Sequence, residues 1–395
     1  MTQRQAVTKK KALAYRSADR AGKSRILTEV VELTGWHRDY ARAALRDALA
    51  LKVVKPRPGR APTYSPALTR ALITCWKVLR APAGKRLAPM LGVLVPLLRR
   101  DGDLDISDEE AALLVRMSAA TIDRRLAPER AKIALRGRSH TKPGTLLKSQ
   151  IPIRTWADWD DAVPGFVEID LVGHEGGNAS GQFCFTLTVT DICTGWTVNR
   201  SVQNKAEKWV FEALQHVMAV FPFPIIGIDS DNGSEFINDH LFRYCREHQI
   251  TFTRSRPRHS NDGAHVEQKN WTHVRELVGY LRYDTASELA KLNEIWELDR
   301  EFTNYFLPQQ KLVSKQRHGA KVTKKYDTAT TPHHRAISHE TMRKRPIIQM
   351  NAQFKRIKPG ALSRQILALT GELETMALAK RPAERKPTVN YSFTH

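Results

Sequence analysis

Three acidic residues between positions 170 and 267 stand within or next to predicted strands and helices. Asp170 lies within the otherwise apolar segment 166–172. Asp231 lies in an Asp-Asn-Gly turn that follows the apolar segment 223–228, and Glu267 opens a helix after a loop rich in Pro, Arg, Asn and Gly. If the fold gathers these carboxylates, they form the all-oxygen ligand set that a hard divalent cation binds, with positions left for phosphate and water.

Each acid also has an ordinary explanation. Asp231 could serve the turn alone, and Glu267 could be a solvated helix residue. Glu168 and Asp170 share one face of a strand by its period of two, so both could lie on the solvated side of an edge strand. Taken together, three close carboxylates repel one another unless cations lie among them, which favours a metal site. Asp229 is the main rival of Asp231, which we prefer because it lies past the end of the strand.

The charge balance indicates a polyanionic partner. The 395 residues include 63 Lys and Arg against 41 Asp and Glu, a net charge of +22 with a pI near 10.0. A chain this basic repels itself unless a polyanion neutralises it, so nucleic acid is the leading expected partner. A ribosomal or membrane-surface protein is the alternative. No apolar run approaches the roughly 20 residues of a membrane span and no apolar signal core follows the start, so we expect a cytoplasmic protein rather than a secreted one.

The four cysteines form no Cys-x-x-Cys pair, which argues against a zinc finger and against a disulfide framework. We expect reduced, packed thiols. The cysteines are Cys75, Cys184, Cys193 and Cys245.

The first predicted domain, residues 1–55, has the outline of a helix-turn-helix unit. A basic arm or partly helical lead-in (1–25) precedes a helix at 24–33, a break at Thr34-Gly35 and a second helix at 37–49. The second helix carries a basic stripe that suits DNA contact, although an ordinary helical hairpin with a solvated face explains it equally well. The stripe consists of Arg38, Arg42 and Arg46.

The second predicted domain, residues 63–135, contains another such unit. Ser107 and Glu110 form a capping box that opens one helix, and Ser118 caps the next. The side chains of this last helix that could face a DNA groove are Thr121, Arg124 and Arg125. A basic linker at 136–162 leads into the following domain.

Residues 163–285 have the pattern of an α/β domain. The order β-β-β-α-β-α-β-α predicts a mixed five-stranded sheet with flanking helices, the order of the ribonuclease-H-like fold, preceded by all-α domains. The predicted strands are 166–172, 182–190, 195–202, 225–228 and 250–253, and the predicted helices 205–221, 234–248 and 264–281.

Basic residues around and after this domain suit DNA contacts. Those in the loop before Glu267 could position phosphates, and Lys269 and Asn270 could touch terminal nucleotides or simply be polar surface. A helical and basic extension (286–330) includes an acid-free segment that suits phosphate contact, whereas the role of 331–395 cannot be inferred. The expected contacts are Arg254, Arg256, Arg258, Lys311, Lys315, Arg317 and Lys321.

The blocks 166–170, 229–236 and 261–271 resemble the catalytic core of bacterial insertion-sequence DDE transposases of the retroviral-integrase superfamily. Those proteins carry an Asp, Asp, Glu triad with 35 residues between its last two members, as Asp231 and Glu267 have here. The resemblance covers about 150–330, but no His-His-Cys-Cys zinc module precedes the core, as one does in retroviral integrases.

The resemblance implies that Asp170 bridges two Mg²⁺ ions, which Mn²⁺ could replace, while Asp231 and Glu267 each hold one. It further implies nicking at the terminal inverted repeats of a mobile element, transfer of the freed 3′ end into target DNA, and at least a homodimer. Two alternatives remain: a non-catalytic DNA-binding regulator and a ribonuclease-H-type nuclease.

Overall fold

The computed structural model describes residues 3–50, 63–132, 163–230, 239–254, 269–318 and 321–380. Two compact units, Met1–Thr63 and Tyr64–His395, make up the chain. Several predicted features lie outside the described residues, namely Asp231, Glu267, Arg256, Arg258 and almost all of the linker at 136–162.

The first unit contains three described helices: α1 (Gln3–Ser17), α2 (Arg20–Thr34) and α3 (Arg38–Asp47). The basic lead-in is therefore helical. Asp19 caps α2 by accepting a hydrogen bond from the Gly22 amide, and Gly35 ends α2 with φ 68°, the left-handed geometry that glycine adopts without strain. The three helices pack around a small apolar core formed by Ala12, Leu27, Val30, Ala41 and Leu45.

The second unit begins with four helices: α4 (Pro66–Val78), α5 (Gly84–Arg100), α6 (Asp108–Val115) and α7 (Ala119–Ala131). The predicted capping box of α6 is confirmed, because Ser107 Oγ accepts from the Glu110 amide and Glu110 reaches back to the Ser107 amide. Ser65 and Ser118 cap α4 and α7 in the same way.

The ribonuclease-H-like sheet follows, with strands in the order β3-β2-β1-β4-β5. Its strands are β1 (Phe166–Gly173), β2 (Phe185–Asp191), β3 (Thr197–Val202), β4 (Gly227–Ser230) and β5 (Thr251–Arg254). The first three strands pair antiparallel, whereas β4 and β5 run parallel to β1. The predicted mixed five-stranded sheet is confirmed.

Local chemistry fixes two features of this sheet. Gly227 of β4 pairs with Phe166 of β1, and a Cβ at Gly227 would lie 2.3 Å from the phenyl ring, so no larger residue fits there. The β2–β3 turn is held by the buried Asp191 carboxylate, which accepts hydrogen bonds from the Gly165 amide and from the amide and hydroxyl of Thr194, at 2.6 to 2.7 Å. Burial raises the pKa of Asp191.

Helices flank the sheet: α8 (Glu207–Val220) and α9 (Asp239–Glu247) precede β4 and β5, and a π-helical turn, π1 (Asn270–Arg275), continues into the short α10 (Glu276–Val278). The helix predicted at 264–281 is confirmed where it is described, although its hydrogen-bond register widens at π1 and it ends at Val278, before Gly279, where φ is 70°. The long α11 (Ala286–Phe306) begins with a second capping box.

The remaining elements are a two-stranded ribbon and three helices. The ribbon consists of β6 (Leu312–His318) and β7 (Lys321–Tyr326), which pair antiparallel as a separate sheet. The helices are α12 (Pro332–Ile337), α13 (Lys344–Arg356) and α14 (Pro359–Leu378).

One apolar core extends from the helices α4–α7 into the sheet and the last helices. It joins Leu72 of α4, Ile169 of β1, Leu214 of α8 and Ile366 of α14. Polar contacts cross the same boundary: Arg86 Nε donates to the Pro308 carbonyl at 2.8 Å. The C-terminal helix α14 thus belongs to the same core as both the helices α4–α7 and the five-stranded sheet. All four cysteines are free and buried, and among the described helices none is long and apolar enough to cross a membrane.

Candidate active site

Asp170 lies on the central strand of the sheet. Its neighbours Val167, Ile169 and Leu171 point into the main apolar core, so Asp170 belongs to the opposite face of β1. Because β1 pairs with β2 on one side and β4 on the other, the edge-strand explanation of Asp170 is wrong. A half-buried carboxylate in the middle of a sheet is a costly feature for a merely structural residue.

The two oxygens of Asp170 have defined partners. Oδ1 accepts a hydrogen bond from the Leu171 amide at 2.7 Å, and Oδ2 accepts one from Nδ2 of Asn270 at 2.6 Å. The second bond spans 100 residues and joins the strand to π1. It therefore fixes both the rotamer of the aspartate and the position of the helix that contains Asn270.

The carbonyl oxygen of the Asn270 side chain, Oδ1, is buried. This atom has no hydrogen-bond partner among the described residues. An orphaned amide oxygen in a buried site costs free energy, which a cation, a water molecule or a ligand donor can offset.

The rival carboxylate, Asp229, has a structural partner. It is buried, its Oδ1 accepts from the Thr253 hydroxyl at 2.5 Å, and it stands opposite Glu168 in the β1–β4 register. The same register pairs Ile169 with Ser230, the last residue of β4. Ser230 is thus paired with the residue before Asp170, and Asp231 lies outside the described residues.

Lys269 is buried, with 6% of its surface exposed, so the surface-polarity explanation of this residue is wrong. Its Nζ lies 3.4 Å from Nε2 of His273, and the His273 Nδ1 lies 3.4 Å from the Thr303 hydroxyl. Burial lowers the pKa of Lys269 well below its ordinary value, with Arg86 and Arg335 contributing in the same direction. Burial likewise lowers the pKa of His273.

A chain of polar contacts links π1, through α11, to Arg80 in the segment between α4 and α5. The Thr303 hydroxyl donates to Asp299 Oδ1 at 3.2 Å, so His273 Nδ1 is the donor towards Thr303 and its Nε2 accepts from Lys269. Asp299 also forms an ion pair with Arg80, whose Nη2 lies 2.6 Å from Oδ1, although the groups are not aligned as a hydrogen bond. We name Lys269, His273, Thr303, Asp299 and Arg80 the helix-support chain.

A second buried chain crosses the sheet near Asp170. Trp296 Nε1 donates to Ser201 Oγ at 2.7 Å, Ser201 lies 2.8 Å from the Thr186 hydroxyl, and Thr186 lies 2.7 Å from Nε2 of His174. The indole can only donate, so Ser201 Oγ accepts from it, whereas the directions of the two following bonds depend on the tautomer of His174. Burial, followed by Arg275, lowers the pKa of His174 to about 3. Sequence reasoning missed this chain, because its members come from four separate segments.

The predicted contacts on α3 are exposed. Arg38 donates to the hydroxyls of Thr28 and Ser24 at 3.0 and 2.9 Å, and Arg42 pairs with Asp39 at 2.6 Å. Arg46 lies exposed one turn further along the helix. A basic face on α3 is therefore present in the first unit, and its role in DNA contact stays a prediction.

The predicted contacts on α7 divide into two groups. Arg124 is exposed, and its guanidinium donates to the Thr121 hydroxyl at 3.3 Å. Arg125 is half-buried and donates to the Thr69 hydroxyl at 2.5 Å and the Tyr64 carbonyl at 3.0 Å. The structure gives Arg125 a packing role between α7 and α4, which competes with the predicted groove contact.

Lys311 has a structural role rather than the predicted exposed one. Its Nζ donates to the Cys193 carbonyl at the base of the ribbon, and burial lowers its pKa. Lys315, Arg317 and Lys321 lie on the ribbon strands, and Arg254 ends β5, but their side chains fall outside the described atoms.

Within the described residues, no three His, Cys, Asp or Glu side chains are grouped as a metal site. Two of the three predicted ligands, Asp231 and Glu267, lie outside those residues. The described residues include the carboxylate of Asp170, whose orientation is defined by its two hydrogen bonds. They also include β4, which precedes Asp231 in the sequence, and π1, which follows Glu267.

Similarity to known proteins supports a common origin for this sheet. The integrase core domain family model matches residues 160–260. The uncharacterized protein y4rM of Sinorhizobium fredii (strain NBRC 101917 / NGR234) is 40% identical over 322 residues, which are 80% of this chain and 90% of that protein.

Two solved structures are also similar. The HTLV-2 integrase catalytic core domain in complex with magnesium (dimeric form) is 13% identical over 38% of this chain and 93% of its own, with a TM-score of 0.29. The catalytic core domain of BIV integrase is 13% identical over 43% and 91%, with a TM-score of 0.29. These TM-scores are too low to support an argument. The family assignment rests instead on the family model, the relative from Sinorhizobium and the strand order. The chain belongs to the DDE superfamily of integrases and transposases that is built on the integrase core domain.

Proposed function

We propose that this protein is a DNA transposase that binds the ends of a mobile element, nicks them and joins the freed 3′ ends to target DNA. The observation that supports this most is the 2.6 Å hydrogen bond from Asn270 to Asp170. Glu267 precedes Asn270 by three residues, which span at most about 11 Å of chain in any conformation. The bond between Asn270 and Asp170 therefore limits how far Glu267 can lie from Asp170.

The second aspartate follows a strand that pairs with β1. Ser230, the last described residue of β4, pairs with Ile169, and Asp231 follows Ser230 directly in the sequence. Asp229 is a weaker candidate, because its carboxylate is buried and bonded to Thr253. We propose Asp170, Asp231 and Glu267 as the catalytic triad.

The donor set fits a hard divalent cation such as Mg²⁺ or Mn²⁺. Asp170 offers a carboxylate, and the orphaned Oδ1 of Asn270 adds an unsatisfied oxygen near it. All of these atoms are oxygens, the ligands that Mg²⁺ prefers. Asp170, Asp231 and Glu267 would hold a pair of such ions, which when bound activate an attacking oxygen and stabilise the leaving oxygen of a phosphodiester.

The protein's own residues supply orientation. The Leu171 amide and the Asn270 amide group each occupy one oxygen of Asp170, which limits the carboxylate to one rotamer. The helix-support chain contacts π1 through His273, and burial lowers the pKa of both Lys269 and His273. Such outer partners hold the ligating side chains in a productive geometry.

DNA would be held by basic residues of both units. The exposed arginines of α3 and Arg124 of α7 are available for end binding, and Arg254, Arg256 and Arg258 precede the Glu267 helix in a position suited to phosphates. Two ends must be brought together for strand transfer, so the working form would be at least a dimer.

A strand-transfer assay tests the proposal. The full chain is incubated with a duplex from the ends of its flanking genomic element, a plasmid target and Mg²⁺ or Mn²⁺. We expect nicked ends and joined products that require the metal and disappear in Asp170→Asn, Asp231→Asn and Glu267→Gln, while circular dichroism stays unchanged. End binding without metal-dependent products would instead indicate a DNA-binding regulator, and cleavage confined to RNA in hybrids would indicate a nuclease. Full activity in a triad variant would refute the triad.

A further inference from the structure

The β6–β7 ribbon is built differently from the rest of the second unit. Among the described residues its two strands pair with each other, as a sheet separate from the five-stranded one. The segment 312–326 contains no acidic residue but carries four lysines and one arginine. An isolated two-stranded ribbon is marginally stable in water, so its retention needs an anchor, a partner or both.

The base of the ribbon is firmly anchored. The Lys311 amide donates to Asp327 Oδ1 at 2.7 Å and the Asp327 amide donates to the Lys311 carbonyl at 3.0 Å. Arg335 pairs with Asp327 at 2.8 Å, and the Lys311 ammonium donates to the Cys193 carbonyl of the core domain. These contacts fix the direction in which the two strands leave the core.

Beyond this base the ribbon is exposed on both faces. Val313 is 63% exposed, Leu312 49% and Tyr326 47%, and Lys324 and Lys325 are also exposed. Apolar and cationic side chains are thus both exposed along the described part of the ribbon. Surface of this kind is typical of a binding element.

The strand register opposes like charges. Lys315 stands directly across from Lys324. Like charges in directly opposed positions destabilise a β-ribbon, which disfavours this arrangement in the free protein. A polyanion laid along the ribbon would turn that repulsion into attraction.

We propose that the β6–β7 ribbon is a DNA-binding arm that enters the major groove of duplex DNA. A major groove about 12 Å wide and 8.5 Å deep admits a two-stranded ribbon, whose strands lie about 4.8 Å apart. Seven residues of strand extend about 23 Å at 3.3 Å each, enough to cross the groove from one backbone to the other. Lysines then meet phosphates, while Val322 and Tyr326 face base edges and sugars.

This arm deepens the proposed function, since it says how the DNA substrate is gripped. The arm requires DNA as the partner but does not require metal-dependent chemistry. A protein without strand-transfer activity could therefore still bind DNA through the ribbon, and the two proposals are tested independently. A second copy of the chain could also pair with the free strand edges, but five cations in 15 residues oppose the approach of an identical ribbon.

The test measures affinity for a random 30-base-pair duplex in EDTA, from 50 to 200 mM salt, by fluorescence anisotropy. The variant is Lys324→Gln with Lys325→Gln. The matched control is Lys355→Gln with Lys358→Gln, which removes two exposed lysines from the α13–α14 region. Both doubles lower the net charge equally, so long-range attraction falls alike in both.

If each ribbon lysine neutralises one phosphate, the slope of log affinity against log salt falls by about 1.8 in the ribbon variant. Between 50 and 200 mM salt that variant then loses about twelvefold less affinity than the parent protein. The control keeps the parent slope. Protection of Lys324 and Lys325, but not Lys355, from amine acetylation in the complex checks the contact directly.

Three outcomes would overturn the proposal. Equal slopes for the ribbon variant and the parent would show that the ribbon touches no phosphate. An equal decrease of this slope in the Lys355→Gln, Lys358→Gln control would show that net charge alone explains binding. A change of oligomeric state by light scattering in the ribbon variant, with DNA affinity unchanged, would show that the ribbon joins copies of the chain.

Discussion

Acidification should destabilise the second unit in part through the buried imidazole of His174. The chain from Trp296 through Ser201 and Thr186 ends at Nε2 of His174, which lies 2.7 Å from the Thr186 hydroxyl. Protonation would place a positive charge on a fully buried ring, in a site from which water is excluded. The pKa of His174 is accordingly lowered from 6.5 to about 3, by burial and then by Arg275.

The sign and size follow from linkage. Between pH 6.5 and about 3 the unfolded chain binds a proton at His174 that the folded chain does not, so stability rises with pH across this window and falls on acidification. Taking the two pKa values at face value, the move from pH 7 to pH 5 removes about 2 kcal/mol through this residue alone.

Urea denaturation followed by tryptophan fluorescence at pH 7 and pH 5 measures this effect. His174→Gln should lose about 2 kcal/mol less between these two pH values than the parent protein, whatever its stability at pH 7. His248→Gln, which removes an exposed imidazole from the end of α9, is the matched control. If His174→Gln and the parent lose stability equally on acidification, the reasoning about the buried chain is refuted.

Three further predictions concern buried polar groups. Asp191→Ala orphans three donors at the β2–β3 turn and should destabilise the unit by about 3 kcal/mol or more in urea; a loss below about 1 kcal/mol would contradict the turn's role. Arg80→Ala leaves the Asp299 charge buried without its partner and should cost about 3 to 5 kcal/mol, whereas an unchanged urea midpoint would contradict the ion pair. Asn270→Ala frees the carboxylate of Asp170 and should lower metal-dependent strand transfer about 10- to 100-fold with folding intact; parent-level rates would contradict the positioning role.

The sheet could be predicted because its local patterns are simple. Period-two alternation in Phe166–Gly173 and the turn signals between the first three strands fix both the elements and their antiparallel pairing. The burial of Val167 and Ile169 on one face then explains why an acid at 170 points to the other. The first residues of helices could be predicted equally well, as the Ser107 capping box shows.

Features that depend on tertiary packing could not be read in this way. Lys269 looks like a surface residue until α11 and the helical region cover it. The widened turn of π1 has no propensity signal, and the pairing of Lys315 with Lys324 contradicts the usual preference for opposite charges across a ribbon. The role of Asn270 depends on a contact 100 residues away.

The central claim is that Asp170 anchors a pair of divalent cations against DNA. The most direct measurement is Mn²⁺ binding by electron paramagnetic resonance, on the full chain with an uncleavable duplex end. We predict two bound ions per chain in the parent protein, both weakened in Asp170→Asn and both retained in Glu207→Gln, which alters an exposed carboxylate on α8. Unchanged Mn²⁺ binding in Asp170→Asn would contradict the account.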